Sequence, residues 1–355
     1  MRLLVAACLA GCSLSRPAPP QKTYSIAIVA AEVGPRGLRL IAIDERGDRR
    51  FELIEPAENV RDGNPAISPD GRWMVFASTR GRTAGTSLWI APLTGPNATP
   101  RRLTDEAGID QHPIWTRDGR AVVFASTRDG GDFDLWQLAI DRGSGGALTQ
   151  LTRGDTHEVM PAIGTDGTIV YAAIEQKEGL EVASHLEERA VDGTIRKLTA
   201  GPADTSPAIS PDGATLIFVR PALHREMPQA ELWKIERGAW RTTGDELPAS
   251  RVVVLPITDE SGPVWSRDGR FLFATSVLRG DRGKPVFSSV IHIDLQENPP
   301  RARILRDRAV ASVRLSPAIR SERLDIATLR SDPEYLPELA RIVAAAIDEQ
   351  AAEPP

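Results

Sequence analysis

The sequence predicts an all-β fold, a ring of six four-stranded blades, and three observations carry that prediction. One phrase recurs along the chain, each copy turns one strand into the next, and the two ends of the repeated region supply complementary parts of a further unit. The phrase is Pro65-Ala-Ile-Ser-Pro-Asp-Gly71, and it returns at Pro113–Gly119, Pro161–Gly167, Pro207–Gly213 and Pro263–Gly269. Its Asp-Gly pairs begin at 70, 118, 166, 212 and 268, giving spacings of 48, 48, 46 and 56 residues. Strand-rich repeats of about 40–50 residues are the signature of a β-propeller.

Each repeat reads in the same order. Asp-Gly permits the positive φ angles of a tight hairpin, so it joins an innermost strand to a second one. The second strand is the β-rich stretch at Trp73–Ser78, Ala121–Ser126, Thr215–Phe218 and Phe271–Ala274. A polar loop leads to a third strand centred on an aromatic, as in Ser87–Ile90, Asp134–Gln137 and Glu231–Lys234. A fourth ends in Leu-Thr at Arg102–Thr104, Gln150–Thr152 and Lys197–Thr199. The recurring aromatics, Phe76, Phe124, Tyr171 and Phe218 with Trp89, Trp136 and Trp233, are expected to fill the layers between blades.

Residues 24–56 supply three more strands, at 25–30, 38–43 and 50–54, but no innermost one. The missing piece resembles Ser312–Ile319, with Ser316-Pro317 aligned on Ser68-Pro69. A sixth blade built from both termini removes an exposed edge. The propeller is therefore placed at 24–330. A short helix is expected from Ser331, as its cap, to Glu349, within a tail of 331–355.

Ahead of the strands, Met1-Arg2 and the apolar run Leu3–Ala10 read as a targeting segment. Leu9-Ala10-Gly11-Cys12 resembles the bacterial lipobox, which implies a signal peptide at 1–11 and lipidation of Cys12. An ordinary signal peptide cut elsewhere is the alternative. Residues 12–23, rich in proline, form an extended tether. Ser13 lacks the acidic residue associated with inner-membrane retention, so a periplasm-facing lipoprotein of the outer membrane is expected. The only cysteines are Cys8 and Cys12, which leaves no internal disulfide or thiolate metal site in the mature chain. Lys and Arg number 43 against 48 Asp and Glu, a balance that argues against a nucleic-acid partner.

The Ser-Pro-Asp-Gly phrases and Phe-Ala-Ser-Thr-Arg at 76–80 and 124–128 resemble the repeats of TolB and of prolyl oligopeptidase-like propellers. The likeness spans most of residues 24–320 and implies a six-bladed propeller. It leaves function open, because propellers host many. Gly-x-Ser-x-Gly is absent, and His157-Glu158 is not followed by the second histidine of a zinc helix.

One pattern points to a site. Three residues before each phrase stands a carboxylate: Asp62, Asp110, Glu158, Asp204 and Glu260, with Val310 at the corresponding place of the sixth unit. Placed on the loops entering the inner strands, these acids would ring one channel mouth and focus a negative potential. Three readings stand side by side: each acid caps its own loop, the ring binds a basic segment of an envelope protein, or it holds Ca²⁺. No other cofactor is expected. A monomeric protein-binding scaffold is the leading functional reading. The alternative is a polysaccharide lyase or hydrolase, an activity that the TolB resemblance allows, with His112 and Asp110 as its sketch of a site. His112 and His157 read as loop residues, Asp129–Asp134 as a plain turn, and the polar insert Arg237–Arg251 as a candidate contact surface.

Overall fold

The computed structural model describes residues 26–305 apart from 35–36, 45–49, 142, 177–181, 202, 225–226, 241–247, 254–257 and 280–284, together with 314–319 and 331–332. It is an all-β ring of six antiparallel sheets. Blade one comprises strands Asp62–Ile67, Trp73–Ser78, Ser87–Pro92 and Arg101–Arg102, running from the ring's centre outward. Blades two to five repeat that order from inner strands Asp110–Trp115, His157–Ile163, Thr205–Ile209 and Thr258–Trp265. In the sixth blade Arg314–Ile319 lies innermost, beside Ile28–Gly34, Gly37–Ile43 and Arg50–Glu52. Both ends of the repeated region therefore share one sheet, as the repeats predict.

The repeated residues earn their places through turn chemistry. In blade one the Ser68 hydroxyl donates to Asp70 Oδ1 at 2.6 Å and accepts the Trp73 N–H, while Asp70 accepts the Arg72 N–H. Gly71 supplies the positive φ of 66° that closes the hairpin. The Leu-Thr ends have an equally local cause. Thr104, Thr152 and Thr199 are buried, and each hydroxyl accepts the N–H of a leucine within its blade's third strand, Leu88, Leu135 and Leu186.

The core lies between blades rather than inside any one. Met74 and Phe76 of blade one pack on Val29, Ala31 and Leu40 of blade six, and Phe271 and Phe273 of blade five pack on Ile28 and Ile41 from the other side. Phe76, Phe124, Tyr171 and Phe218 are fully buried, whereas Trp89, Trp136 and Trp233 are half-buried with arginines stacked over their rings. In blades two and five the indole N–H groups of Trp115 and Trp265 cross to the Ala66 and Ala208 carbonyls of the preceding blade, each at 3.0 Å.

Every inner strand also carries a β-bulge. In blade one Gly63 pairs with Ala77 and Ala66 with Val75, so Asn64 and Pro65 together oppose a single residue. Asn64, His112, Met160, Ser206 and Gly262 occupy this bulge position, each directly before the motif proline, and all have φ between 47° and 57°. Proline cannot donate a ladder hydrogen bond, so its place on an innermost, edge-exposed strand is the one a sheet tolerates.

Three sequence expectations are corrected here. The register places Ile319 opposite Ile28 and Arg314 opposite Glu32, so Ser316-Pro317 falls on the bulge equivalent to Asn64-Pro65, not on Ser68-Pro69. The position equivalent to the five acids is therefore Arg314 rather than Val310. Ser331–Asp332 form a strand against Ile304–Leu305 as a fifth member of blade five, where a helix cap was expected. The rest of that helix, like the targeting segment and tether, lies outside the described residues. The Arg237–Arg251 insert opens with one helical turn at Arg237–Trp240 and ends in blade four's outer strand, Ser250–Arg251.

The left-handed bulge makes a specific prediction. Gly262→Val is expected to cost about 1–2 kcal/mol in urea denaturation, because a β-branched side chain clashes in that conformation. Gly262→Asn should cost less, since asparagine tolerates it.

Candidate functional site: the central channel

The inner strands of neighbouring blades pack side by side around the ring and close it, with Arg314–Ile319 touching the inner strands of both blade one and blade five. Each inner strand ends its sheet, so no strand pairs with its channel-side edge among the described residues. Between them runs a channel of about 870 Å³. The bulge residues Asn64, His112, Met160, Ser206 and Gly262 form one level of its wall. Ile67, Ile114 and Ile163 lie beyond, and Pro69, Arg117, Pro211 and Arg267 stand at the mouth made by the hairpin turns.

The five sequence-predicted acids occupy equivalent places but do not line this channel. Asp62, Asp110, Glu158, Asp204 and Glu260 are all buried within their own blades. In three blades the partner is an arginine of the second strand's end. Arg80 forks onto Asp62 with Nη2–Oδ2 at 2.8 Å, and Arg220 onto Asp204 at 2.7 and 2.8 Å. Arg128 Nη2 reaches both oxygens of Asp110 at 2.9 and 3.0 Å. These guanidiniums also stack on aromatic faces: Arg128 on Phe124 and Trp136, Arg220 on Phe218 and Trp233. The carboxylates thus anchor arginines inside the blades and are not presented at a mouth. The physical reason is the bulge, which turns the strand's side chains between the acid and the proline.

The other two acids are glutamates, and hydroxyls replace the arginine. Glu260 accepts from Thr258 at 2.6 Å and Ser276 at 3.2 Å, and burial pushes its carboxyl up to about 8. Glu158 accepts from Thr152 and Thr156 beside buried Asp134; burial raises both carboxyls, and the Asp134 charge raises Glu158 further, whereas Glu158 lowers Asp134 through a hydrogen bond. Aspartate with arginine and glutamate with hydroxyls are two solutions to burying an acid at one place.

The histidines separate. His157 Nδ1 accepts the Phe133 N–H at 3.2 Å, a structural role. His112 lies in the inner strand, not in a loop, and its Nδ1 is buried without a partner, with burial lowering its pKa to about 4. It is part of the channel wall. No hydrogen bond joins it to Asp110, whose oxygens belong to Arg128. Among the described residues no three His, Cys, Asp or Glu side chains are gathered to hold a metal ion. Sequence reasoning passed over Arg117 and Arg267, although the signal was present: they replace the proline of Ser-Pro-Asp-Gly in the second and fifth repeats.

Fold and channel define a six-bladed propeller with an open, apolar-walled centre. The chain belongs to the TolB beta propeller domain family, whose model, PD40, matches residues 26–236. It is 27% identical over 175 residues to the uncharacterized protein Atu1656 of Agrobacterium fabrum, covering 49% of this chain and 56% of that one. It is 32% identical over 165 residues to the uncharacterized peptidase YuxL of Bacillus subtilis, covering 44% of this chain and 22% of that one. The matches thus span less than two thirds of either curated relative. The fold is similar to that of TolB from Acinetobacter baumannii, with a TM-score of 0.60 at 14% identity, covering 82% of this chain and 66% of that one.

Glu260 makes the pH dependence testable. Its proton is held more tightly in the folded chain than in the unfolded one, so its contribution to stability is full below about pH 4.5 and is lost as pH rises towards 8. Relative to Glu260→Gln, the wild type should lose stability between about pH 5 and 8, by about 1.4 kcal/mol per pH unit at the steepest point. Parallel urea midpoints for the two proteins across that range would refute a proton-bound Glu260.

Proposed function

We propose that this chain is a binding module of the bacterial cell envelope, tethered to a membrane through lipidated Cys12, whose central channel takes up a segment of a partner protein. The observation that carries the reading is the channel wall itself. Strand edges without strand partners offer backbone N–H and C=O groups, the means by which sheets bind extended peptides. The buried, unpartnered His112 Nδ1 adds a side-chain hydrogen-bonding group within the same wall. A polar group buried unmade costs about 1–3 kcal/mol, which a ligand bond would recover. The volume, about 870 Å³, suits a short segment rather than a domain. An enzyme built on Asp110 and His112 finds less support, because Arg128 holds the acid.

Two experiments test this. A photo-crosslinking amino acid at Ile114, on the channel wall, should yield a discrete protein adduct in the native cell, whereas the same probe at exposed Val191 should not. Adducts from Val191 alone would move the binding surface off the channel. Separately, radiolabelled palmitate should label the wild type and not Cys12→Ser; label retained by the variant would refute the anchor.

A further inference from the structure

We propose that the turn-side mouth of the channel is a carboxylate site, built by Arg117 and Arg267, which holds the free C-terminus of the bound segment. This rests on the channel-binding reading above. The two arginines occupy the same position of the second and fifth repeats, where the first and fourth carry Pro69 and Pro211. Three blades apart in a ring of six, they face each other across the opening.

Both arginines line the channel mouth, together with Pro211 of blade four. Arg117 extends over the mouth until its Nη2 lies 3.5 Å from the Ser210 carbonyl of blade four. Arg267 lines the channel mouth and also a smaller cavity beside it, whose wall holds Ser210 and Pro211 together with Asp212, Glu236 and Asp268, none of which is ion-paired to it. A contact of 3.5 Å is long for a hydrogen bond, so Arg117 keeps its donors largely uncommitted. Neither side chain meets a carboxylate among the described residues, in contrast to Arg80, Arg128 and Arg220. Two guanidinium forks lining one mouth can each offer paired donors to the oxygens of a carboxylate.

The rest of the channel says which carboxylate. Below the rim the wall is apolar, with Ile67, Ile114, Ile163 and Val264, as far as the level of His112. From that level the inner strand advances three residues, from His112 to its end at Trp115, which spans about 10 Å, and the hairpin turn then carries Arg117. An extended tail of about three to four residues therefore reaches from the arginines to the level of His112, whose Nδ1 has no hydrogen-bond partner. A chain terminus carries its charge on the axis of such a tail. A side-chain carboxylate within a longer chain would bring a second strand of peptide through the same mouth.

The test uses the purified chain and two short-peptide libraries of the same random sequences, one with free C-termini and one C-terminally amidated, read by mass spectrometry after equilibrium dialysis. The wild type should retain the free-acid library about tenfold more strongly, a difference of about 1.4 kcal/mol. Arg117→Gln/Arg267→Gln should lose that preference while keeping the wild-type melting temperature. Equal retention of both libraries, or a preference unchanged in the double variant, leaves channel binding standing and overturns the carboxylate site. Arginine-dependent retention of amidated peptides rich in Asp or Glu moves the charge to a side chain and overturns the C-terminal assignment. Retention of neither library overturns the channel-binding reading itself.

Discussion

Antiparallel pairing between Ile28–Glu32 and Arg314–Ile319 joins the two ends of the repeated region, and the rest of the ring depends on it. Each blade buries its aromatic layer only against its neighbours, so an open ring would expose two of those layers at once. Blade six is the neighbour of both blade one and blade five: Met74 and Phe76 rest on one of its faces, Phe271 and Phe273 on the other. The entropy of bringing distant ends together grows only with the logarithm of the intervening length. Two inter-blade cores therefore outweigh it, and a single short inner strand suffices as the clasp.

Closure forces six strand edges to face one another around a small opening, and the bulges are how the chain accommodates that crowding. A left-handed residue followed by proline kinks each inner strand and withdraws one donor from the edge. The same kink sends the preceding acid back into the blade. There it recruits an arginine that stacks between Phe124 and Trp136 or between Phe218 and Trp233, tying the inner strand to the second and third. Removing one member of such a buried pair leaves an uncompensated charge, so acid and arginine act as one structural unit. Where no arginine is at hand, Glu158 and Glu260 meet hydroxyls, and burial raises their carboxyls instead.

This division explains what could be read from the sequence. The hairpins were legible because Ser-x-Asp-Gly is required by turn geometry wherever it occurs, and the Leu-Thr ends because a threonine hydroxyl fills a fixed need at Leu88, Leu135 and Leu186. The five acids were legible as a repeated position but not as a direction. One extra residue in a bulge reverses side-chain alternation, and nothing in Asp-Gly-Asn-Pro announces that residue. The same blindness affected the sixth blade, where Ser316-Pro317 matches Ser68-Pro69 by letter and Asn64-Pro65 by register. Arg117 and Arg267 were visible only as exceptions to a phrase, and an exception gains meaning once the fold shows that both stand on one rim.

The sixth blade reverses a sign. In blades one, two, three and five the buried acid of the inner strand faces a neutral second-strand residue: Ser78, Ser126, Ala173 and Ser276. In the closing blade the inner position belongs to Arg314 and the facing one to Glu32. Within the same sheet Glu32 is ion-paired to Arg39 and Arg50, so the closing seat is the one whose carboxylate belongs to the second strand. A chain of near-identical modules risks joining the wrong pair of ends. The reversed pair distinguishes the closing seat from the others by the side of the ladder on which its acid stands.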